Sequence, residues 1–276
     1  MNISEKTHIP FEILVATTNR TTLDFIDNMF KNNVLEHYHL LIINQTSEHK
    51  LLVSHKPNIR VINAFETGLS RSRNLAIQHA IGDICLLADD DVVFLEGFEN
   101  KIMESYDQLK DADLITFKTI TTENKPYSDY PKKVTGLEDF YRKVLSIEIT
   151  FKRDVILKNN ISFNENFGLG SVFQDCENRL FFEDVFTTKQ IKAYFSPEFI
   201  VVHKPFSTSD EVTSDRYMFA RSALFYKKHG VFGWLYVIKL LFSLVRNNYI
   251  GFGEVSHKLQ VAKKSIDTFK HMIHGK

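Results

Sequence analysis

The chain contains the stretch Ile84-Cys85-Leu86-Leu87-Ala88-Asp89-Asp90-Asp91, in which an apolar run leads directly into three carboxylates. The apolar run predicts a buried strand, and Val92-Val93-Phe94-Leu95 continues the apolar character beyond the carboxylates. Three adjacent carboxylates repel one another, so a strand end that holds them requires a cation or strong hydrogen-bond donors. Hard oxygen ligands of this kind select Mg²⁺ or Mn²⁺. A solvated acidic turn is the alternative, and the apolar residues on both sides argue against it.

The first 120 residues alternate short apolar runs with helical patterns, which is typical of βα units. We therefore predict an α/β fold with a mostly parallel central sheet flanked by helices. The predicted strands are residues 11–16, 39–43, 60–63, 84–88 and 114–117, and the predicted helices are residues 22–30, 70–80 and 95–109. Ser70 is expected to cap the start of the second helix, and Gly82 to close its end. Residues 121–146 are predicted to form an irregular segment that shapes a cleft at the carboxyl ends of the strands.

The composition excludes several classes of protein. The 276 residues carry 34 basic and 34 acidic side chains and are 43% hydrophobic, which is too apolar for a disordered chain. A formal charge of zero lacks the surplus of Lys and Arg that phosphate contacts demand, so we expect no nucleic-acid partner. Two cysteines cannot make a disulfide framework, and the polar first six residues lack the apolar core of a secretion signal. We expect a cytoplasmic protein.

Charge is unevenly distributed along the chain. Residues 204–276 hold 12 Lys or Arg and 5 Asp or Glu, a positive surplus that residues 1–203 balance with an equal negative one. The segment 205–210 predicts a polar linker. We therefore predict two domains, residues 1–205 with the acidic triplet and residues 206–276 as a helical, basic tail. The segment 231–246 predicts an amphipathic helix for a membrane interface, with packing on this chain or on a homodimer partner as the alternative.

A second polar segment, residues 65–76, stands shortly before the triplet. Gly68 allows the chain to turn, and Arg71 and Asn74 share a helical face because they are three residues apart. The guanidiniums of Arg71 and Arg73 at the start of a helix are suited to phosphate oxygens. Together with the acidic triplet, this segment indicates a metal and a diphosphate held at one place.

These residues resemble the family 2 glycosyltransferases with the GT-A (Rossmann-like) fold, in particular bacterial enzymes of capsule, O-antigen and exopolysaccharide assembly. Residues 68–76 resemble the family's Gly-x-x-x-Ala-Arg-Asn segment, and the triplet resembles its Asp-x-Asp metal motif. The likeness covers about residues 9–205. It implies that Asp89 and Asp90 lie at the nucleotide, that Asp91 ligates Mn²⁺ or Mg²⁺ together with Asp89, and that Arg71 or Arg73 faces the diphosphate. A first-strand nucleotide loop is implied at Thr17, Thr18, Asn19 and Arg20.

The resemblance also implies an acceptor side in residues 167–181, where a glycine-rich turn precedes an acidic residue at the start of a helix. The family's Gly-Glu-Asp pattern reads Cys176-Glu177-Asn178 here, so the general base is left between Glu177, which we favour, Asp184 and Asp175. His203 follows a short apolar strand, a position where relatives complete the metal site. For the nucleobase, Asn44 or Gln45 can hydrogen-bond through its amide.

The resemblance predicts an inverting, metal-dependent glycosyltransferase. The donor would be a nucleotide-diphosphate sugar, with UDP favoured, and the acceptor a hydroxyl of a bacterial surface glycan or its lipid-linked precursor. Peripheral attachment to the inner leaflet of the membrane is expected. The alternatives are a sugar-nucleotide nucleotidylyltransferase and a catalytically inactive scaffold of glycan assembly.

Overall fold

The computed structural model describes residues 8–206 and 211–274. Its contacts divide the chain into two units, of which the first holds residues 8–163 with Asn178–Pro205, and the second holds Asn164–Glu177 with the described residues from Phe206 onward. Most of the predicted linker 205–210, and the polar first six residues, lie outside the described residues.

The first unit contains nine strands and five helices among its described residues. The strands are β1 (Phe11–Thr18), β2 (His39–Gln45), β3 (Ile59–Ala64), β4 (Ile84–Asp89), β5 (Val93–Phe94), β6 (Leu114–Thr121), β7 (Thr135–Gly136), β8 (Ile149–Lys152) and β9 (Ala193–His203). The helices are α1 (Asp24–Met29), α2 (Leu69–His79), α3 (Phe98–Gln108), α4 (Arg153–Lys158) and α5 (Glu177–Thr187), the last of which begins in the second unit. All five predicted strands and all three predicted helices are present. Between the end of β6 at Thr121 and a 3₁₀ turn that begins at Ser146, the regular structure is the two-residue strand β7 and one short 3₁₀ turn.

The strands form one mixed sheet in the order β3-β2-β1-β4-β8-β6-β9-β5, with β7 paired to β9. Pairing is parallel among β1, β2, β3 and β4 and between β6 and β9. The strands β5, β7 and β8 pair in the antiparallel direction. The expected α/β fold, a central sheet flanked by helices, is therefore confirmed, and its antiparallel members are the short strands that the sequence pattern did not predict.

The core of this unit lies on both faces of the sheet. Phe11, Ile13 and Val15 of β1 face the side that α1 and α3 cover, whereas Leu14 faces the side covered by α2, α4 and α5. Burial on both faces explains why the central strands read as almost continuous apolar runs instead of alternating patterns.

The ends of α2 differ from the prediction. Gly68, with a φ of 122°, is the N-cap residue, and Ser70 lies buried inside the first turn instead of at the cap position. Gly82 is not in the left-handed conformation expected of a helix-closing glycine. A Cβ at Gly82 would lie 2.8 Å from the backbone nitrogen of Glu12, so this glycine is needed for a close approach to β1.

The second unit is helical. It contains α6 (Asp215–His229), α7 (Gly233–Arg246) and α8 (Phe252–His274), and α7 corresponds to the helix predicted over residues 231–246. The segment 164–177, which the sequence analysis assigned to the first domain, packs here because Phe173 stacks on Phe219 and contacts Phe269. Among the described residues one stretch, Asp215–Arg246, has the length and composition of a membrane span, with a mean hydropathy of 1.3 in its most apolar window.

Candidate active site

The acidic triplet lies where the central parallel strands end. Asp89, the last residue of β4, stands beside Ala16 of β1 in the parallel register. Immediately after the triplet, β5 runs antiparallel to β9, with Val93 opposite Val202. This pairing brings Asp91, two residues before Val93, to the segment that follows Val202. The pairing of β5 with β9 thus places the end of β9 next to the carboxylates.

Each carboxylate of the triplet contacts a cationic side chain from a different element. Asp89 is 3.3 Å from Nη2 of Arg73 on α2, and Asp90 accepts a hydrogen bond of 2.8 Å from Nε of Arg20, which follows β1. Asp91 accepts a hydrogen bond of 2.8 Å from Nζ of Lys204, which follows β9. These contacts supply the compensation that three adjacent carboxylates require.

Asp90 has one further partner, the hydroxyl of Thr17, which donates to the same carboxylate oxygen as Arg20 at 2.5 Å. The first-strand loop predicted to bind a nucleotide is therefore joined directly to the triplet. Thr18, Asn19 and Arg20 are exposed, and Asn19 adopts a φ of 55° that turns the chain away from β1.

His203 faces Asp91 from the end of β9. Its Nε2 is 3.6 Å from Oδ1 of Asp91. Its Nδ1 is 2.8 Å from the carbonyl oxygen of Lys204, so Nδ1 is the donor. Interaction with His203, and then with Lys204, holds the pKa of Asp91 well below its usual range, so the carboxylate is ionised at neutral pH. Burial lowers the pKa of His203, but the nearby carboxylate of Asp91 outweighs burial and raises that pKa above its ordinary value.

The donor set at Asp91 fits a divalent metal in part. An ionised carboxylate is a hard ligand for Mg²⁺ or Mn²⁺, and an imidazole whose Nδ1 donates to a carbonyl presents Nε2 as a ligand in its neutral form. Within residues 8–206 and 211–274, no group of three His, Cys, Asp or Glu side chains has the spacing to hold a metal. A metal here would therefore need further oxygens from a bound diphosphate, which is how Mg²⁺ commonly binds.

Two of the predicted nucleotide-binding residues instead have structural positions. Asn44 is fully buried, and its amide bonds to both the backbone nitrogen and the carbonyl of Arg20. It holds the first-strand loop in place and has no exposed edge for a nucleobase. Gln45, the neighbouring candidate, is half-buried and donates to the carbonyl of Gly68.

The predicted phosphate-binding face of α2 also divides into exposed and buried residues. Arg71 is exposed and pairs with Glu66 at 3.2 Å, so its guanidinium is accessible to a ligand. Arg73 is only 3% exposed, and it donates to Ser146 as well as contacting Asp89. These contacts favour a role for the guanidinium of Arg73 in holding Asp89, and its predicted contact with the diphosphate stays a prediction.

Asn74 completes the buried part of α2. Its amide makes two hydrogen bonds with the backbone of Phe163, one through each polar atom. This pair ties α2 to the chain segment that precedes the glycine-rich turn, which gives Asn74 a structural role. Its predicted place in the nucleotide-sugar site stays a prediction.

The candidate general bases occupy different environments. Glu177, at the start of α5, is half-buried, and Asp184, seven residues later on the same helix, is exposed. Asp175 is buried, accepts from the backbone nitrogen of Cys176 at 2.6 Å and lies 3.7 Å from Nη2 of Arg221. A base must reach the substrate hydroxyl, so burial beside Arg221 favours a structural role for Asp175.

Lys204 is the site residue that the sequence analysis missed. It directly follows His203, but nothing in its neighbourhood indicates a carboxylate partner. Lys204 reaches Asp91 because β5 pairs with β9, and the two residues of β5 are too few to show a strand pattern in the sequence. Hydrogen bonding to Asp91 raises the pKa of Lys204 above its ordinary value, so the ion pair persists at neutral pH.

Solved structures with the same architecture include TarS of S. aureus. TarS 1-349 in complex with UDP-GlcNAc aligns with a TM-score of 0.60 and 14% identity, over 95% of this chain and 81% of that chain. TarS 1-349 in complex with UDP aligns with a TM-score of 0.54 and 14% identity, over 97% and 92% of the two chains. At this identity the likeness establishes the fold. A comparison with curated protein sequences finds no match.

The family model of glycosyl transferase family 2 matches residues 12–171, which is more than half of the chain. The matched residues include the loop after β1, the start of α2 and the acidic triplet, whereas Glu177 and His203 lie beyond them. The chain therefore belongs to glycosyl transferase family 2 and is a glycosyltransferase of the GT-A fold.

Proposed function

We propose that this glycosyltransferase is metal-dependent and moves a sugar from a UDP-linked donor to a hydroxyl of a bacterial surface glycan or its lipid-linked precursor, with inversion at the anomeric carbon. One observation supports the donor side of this proposal. Residues that follow β1 and β9 both contact the triplet Asp89-Asp90-Asp91. UDP is favoured because TarS structures of the same fold hold UDP-GlcNAc and UDP. The proposal places the reaction in the cytoplasm.

Binding of the donor rests on the exposed polar residues around the triplet. Thr18 and Asn19 offer hydrogen-bonding groups next to Arg20, and Arg71 presents a guanidinium suited to phosphate oxygens. Asp90 fixes Arg20 and Thr17 in place. In this proposal the loop after β1 and the start of α2 hold the nucleotide and its diphosphate.

Asp91 and His203 would hold the metal, with Asp89 nearby. A divalent cation bound there supplies charge neutralisation for the diphosphate as it leaves. The ammonium of Lys204 lies 2.8 Å from the carboxylate of Asp91, and in this proposal a positive charge at that place also stabilises the charge that develops on the leaving diphosphate. The protein's own part is to keep Asp91 ionised and to aim Nε2 of His203 at it.

Glu177 is the proposed general base. It would accept the proton of the acceptor hydroxyl as that oxygen attacks the anomeric carbon, while the bond to the diphosphate breaks. A single base without an enzyme nucleophile gives inversion in one displacement. Glu177 lies at the start of α5, and a carboxylate in the first turn of a helix is stabilised by the helix dipole. The ionised carboxylate is the form that can accept a proton.

Calorimetric titration of the full chain tests the donor side. UDP, GDP and dTDP are each titrated with and without Mn²⁺, and the proposal expects UDP to bind most tightly and at least tenfold more weakly when the metal is omitted. Product analysis with UDP-sugars follows. Metal-independent nucleotide binding would reject the metal site. Metal-dependent binding without turnover on any glycan or water acceptor would favour the inactive scaffold, and release of pyrophosphate from UTP and a sugar phosphate would favour the nucleotidylyltransferase.

A further inference from the structure

Helix α7 is apolar on two opposite sides. Its inner side packs within the second unit, where Val237, Leu241 and Leu244 join the cluster of buried residues around Met218. Its other side carries large apolar side chains that remain exposed among the described residues. A surface helix of a globular protein ordinarily has one apolar face, so the uncovered side needs an explanation.

We call this uncovered side the outer face. Phe232, Leu235, Ile238 and Phe242 are 57–68% exposed, and their spacing places them within about one third of the helix circumference. The face continues past the end of α7 through Tyr249 and Phe252, which are 57% and 85% exposed. Contiguous exposed aromatic and aliphatic side chains of this kind mark an interaction surface in soluble proteins.

The charge around the outer face has one sign. Residues 216–253 contain six Lys or Arg and no Asp or Glu. Of these, Lys227, Lys228, Lys239 and Arg246 are exposed. Large apolar side chains in a segment whose charged residues are all basic are complementary to an anionic lipid surface, where apolar groups enter the acyl region and the cations remain at the headgroups.

A second copy of the chain is a poorer occupant. In a two-fold dimer the same patch meets itself, so each copy would bring the four exposed basic side chains of this segment toward the other copy's, with no acidic partner between residues 216 and 253. Like charges placed opposite one another cost binding free energy. The charge pattern therefore favours a lipid surface over self-association.

The local geometry favours lying on the bilayer over spanning it. The stretch Asp215–Arg246 is interrupted by a 3₁₀ turn at Gly230–Phe232, and Gly230 has a φ of 55°. Helix α7 alone has 14 residues, a length of about 21 Å, whereas the hydrocarbon core is about 30 Å thick. Its inner side is already committed to packing in the second unit.

We propose that the outer face of α7 docks the protein on an anionic membrane surface. The proposal is independent of the donor chemistry, since all of its residues belong to the second unit.

Vesicle sedimentation with the full chain tests the docking surface. Phosphatidylcholine vesicles with and without phosphatidylglycerol are compared at low and high salt. The wild type is expected to bind the anionic vesicles, with weaker binding at high salt. The exposed pair Phe232→Gln/Phe242→Gln should lower the partition coefficient at least tenfold. Its matched control is Leu51→Gln/Val53→Gln, which removes two exposed apolar side chains of the first unit and should leave binding unchanged.

The charge contribution has its own variants. Lys227→Gln/Lys228→Gln should weaken binding to the anionic vesicles by roughly fivefold for each lysine and leave binding to the neutral vesicles unchanged. Lys31→Gln/Lys50→Gln, at exposed positions of the first unit, is the control. Circular dichroism and UDP titration confirm that each variant is folded and keeps its nucleotide site.

Three results would overturn the proposal. The first is a wild type that stays in the supernatant with anionic vesicles at low salt, and the second is a Phe232→Gln/Phe242→Gln variant that binds like the wild type. The third is a dimer in sedimentation velocity that this variant dissociates while neither protein binds vesicles, which would assign the outer face to a second copy. Loss of UDP binding would leave these vesicle results unaffected, so the two proposals fail separately.

Discussion

Replacing Asp91 by Asn is the sharpest test of the acidic triplet, because it keeps the shape of the side chain and removes one negative charge. In the structure Asp91 accepts from Lys204 at 2.8 Å and lies 3.6 Å from His203. The side chains of Asp91 and Lys204 are 42% and 62% exposed, and ion pairs this exposed contribute about 1 kcal/mol or less to stability. For a chain of this size the melting temperature should fall by no more than about 4 °C.

The effect on ligand binding should be larger. If Asp91 is a metal ligand, losing its charge should weaken Mn²⁺-dependent UDP binding at least tenfold, which corresponds to about 1.4 kcal/mol. Calorimetric titration of UDP with and without Mn²⁺ measures this, and thermal unfolding measures stability on the same samples. Asp154→Asn is the matched control, because Asp154 is an exposed carboxylate of the first unit that pairs with Arg153 at 2.7 Å.

Three results would refute this reasoning. Unchanged UDP affinity in the presence of Mn²⁺ would remove Asp91 from the metal site. An equal loss of affinity with and without Mn²⁺ would assign Asp91 to a direct or structural contact with the nucleotide. A fall in melting temperature well beyond that of the control would show that the ion pair with Lys204 is structural, since exposed pairs do not contribute so much.

Three further predictions concern the base, a buried carboxyl and a close contact. Glu177→Gln should keep UDP binding and lower turnover by about 10²- to 10⁴-fold, whereas Asp184→Asn should be milder; the reverse order would make Asp184 the base. Burial raises the pKa of Glu148 to about 7, so its protonated form is favoured in the folded state and stability should fall as pH rises from about 5 to about 8. Glu148→Gln should make the free energy of unfolding, measured in urea, fall less as pH rises. An unchanged pH dependence would show that Glu148 is not the group responsible. Gly82→Ala should cost about 1–3 kcal/mol in the same assay because the new Cβ meets the backbone of β1, while Gly253→Ala, with open space around it, should cost far less.

The sequence predicted the parallel half of the sheet because β1, β2 and β4 are mostly apolar runs, and because β1, β3 and β4 are each followed along the chain by a helical pattern. β1, β2 and β4 are buried on both faces, and burial of that kind favours apolar residues at most positions. β5 and β8 could not be predicted this way, since two and four residues are too few for a pattern. β5 is nevertheless the strand that brings Lys204 to Asp91.

Residue type indicated several of the side chains that contact the triplet in the structure, but not how each one is placed. Arg71 and Arg73 read alike in the sequence, and only the structure shows that one is exposed and the other buried against Ser146. Asn44 and Gln45 differ in the same way, because successive residues of a strand point to opposite faces. Helix α8 was not predicted, since its apolar residues are spread over a long polar segment.

Glu12 and the triplet Asp89-Asp90-Asp91 lie at opposite ends of the parallel strands β1 and β4, and the two environments differ. Glu12, near the start of β1, is 1% exposed and accepts from Arg60 and from the backbone nitrogens of Ile81 and Gly82. A carboxylate saturated by donors in this manner is a structural element, because its desolvation is fully compensated within the chain. Asp89-Asp90-Asp91 instead remain 23–42% exposed, and each carboxylate is held from one side by a cationic side chain. If the triplet only joined the elements, burial and backbone donors like those of Glu12 would be sufficient. Its exposed oxygens are therefore best explained as ligands for something that binds from solvent.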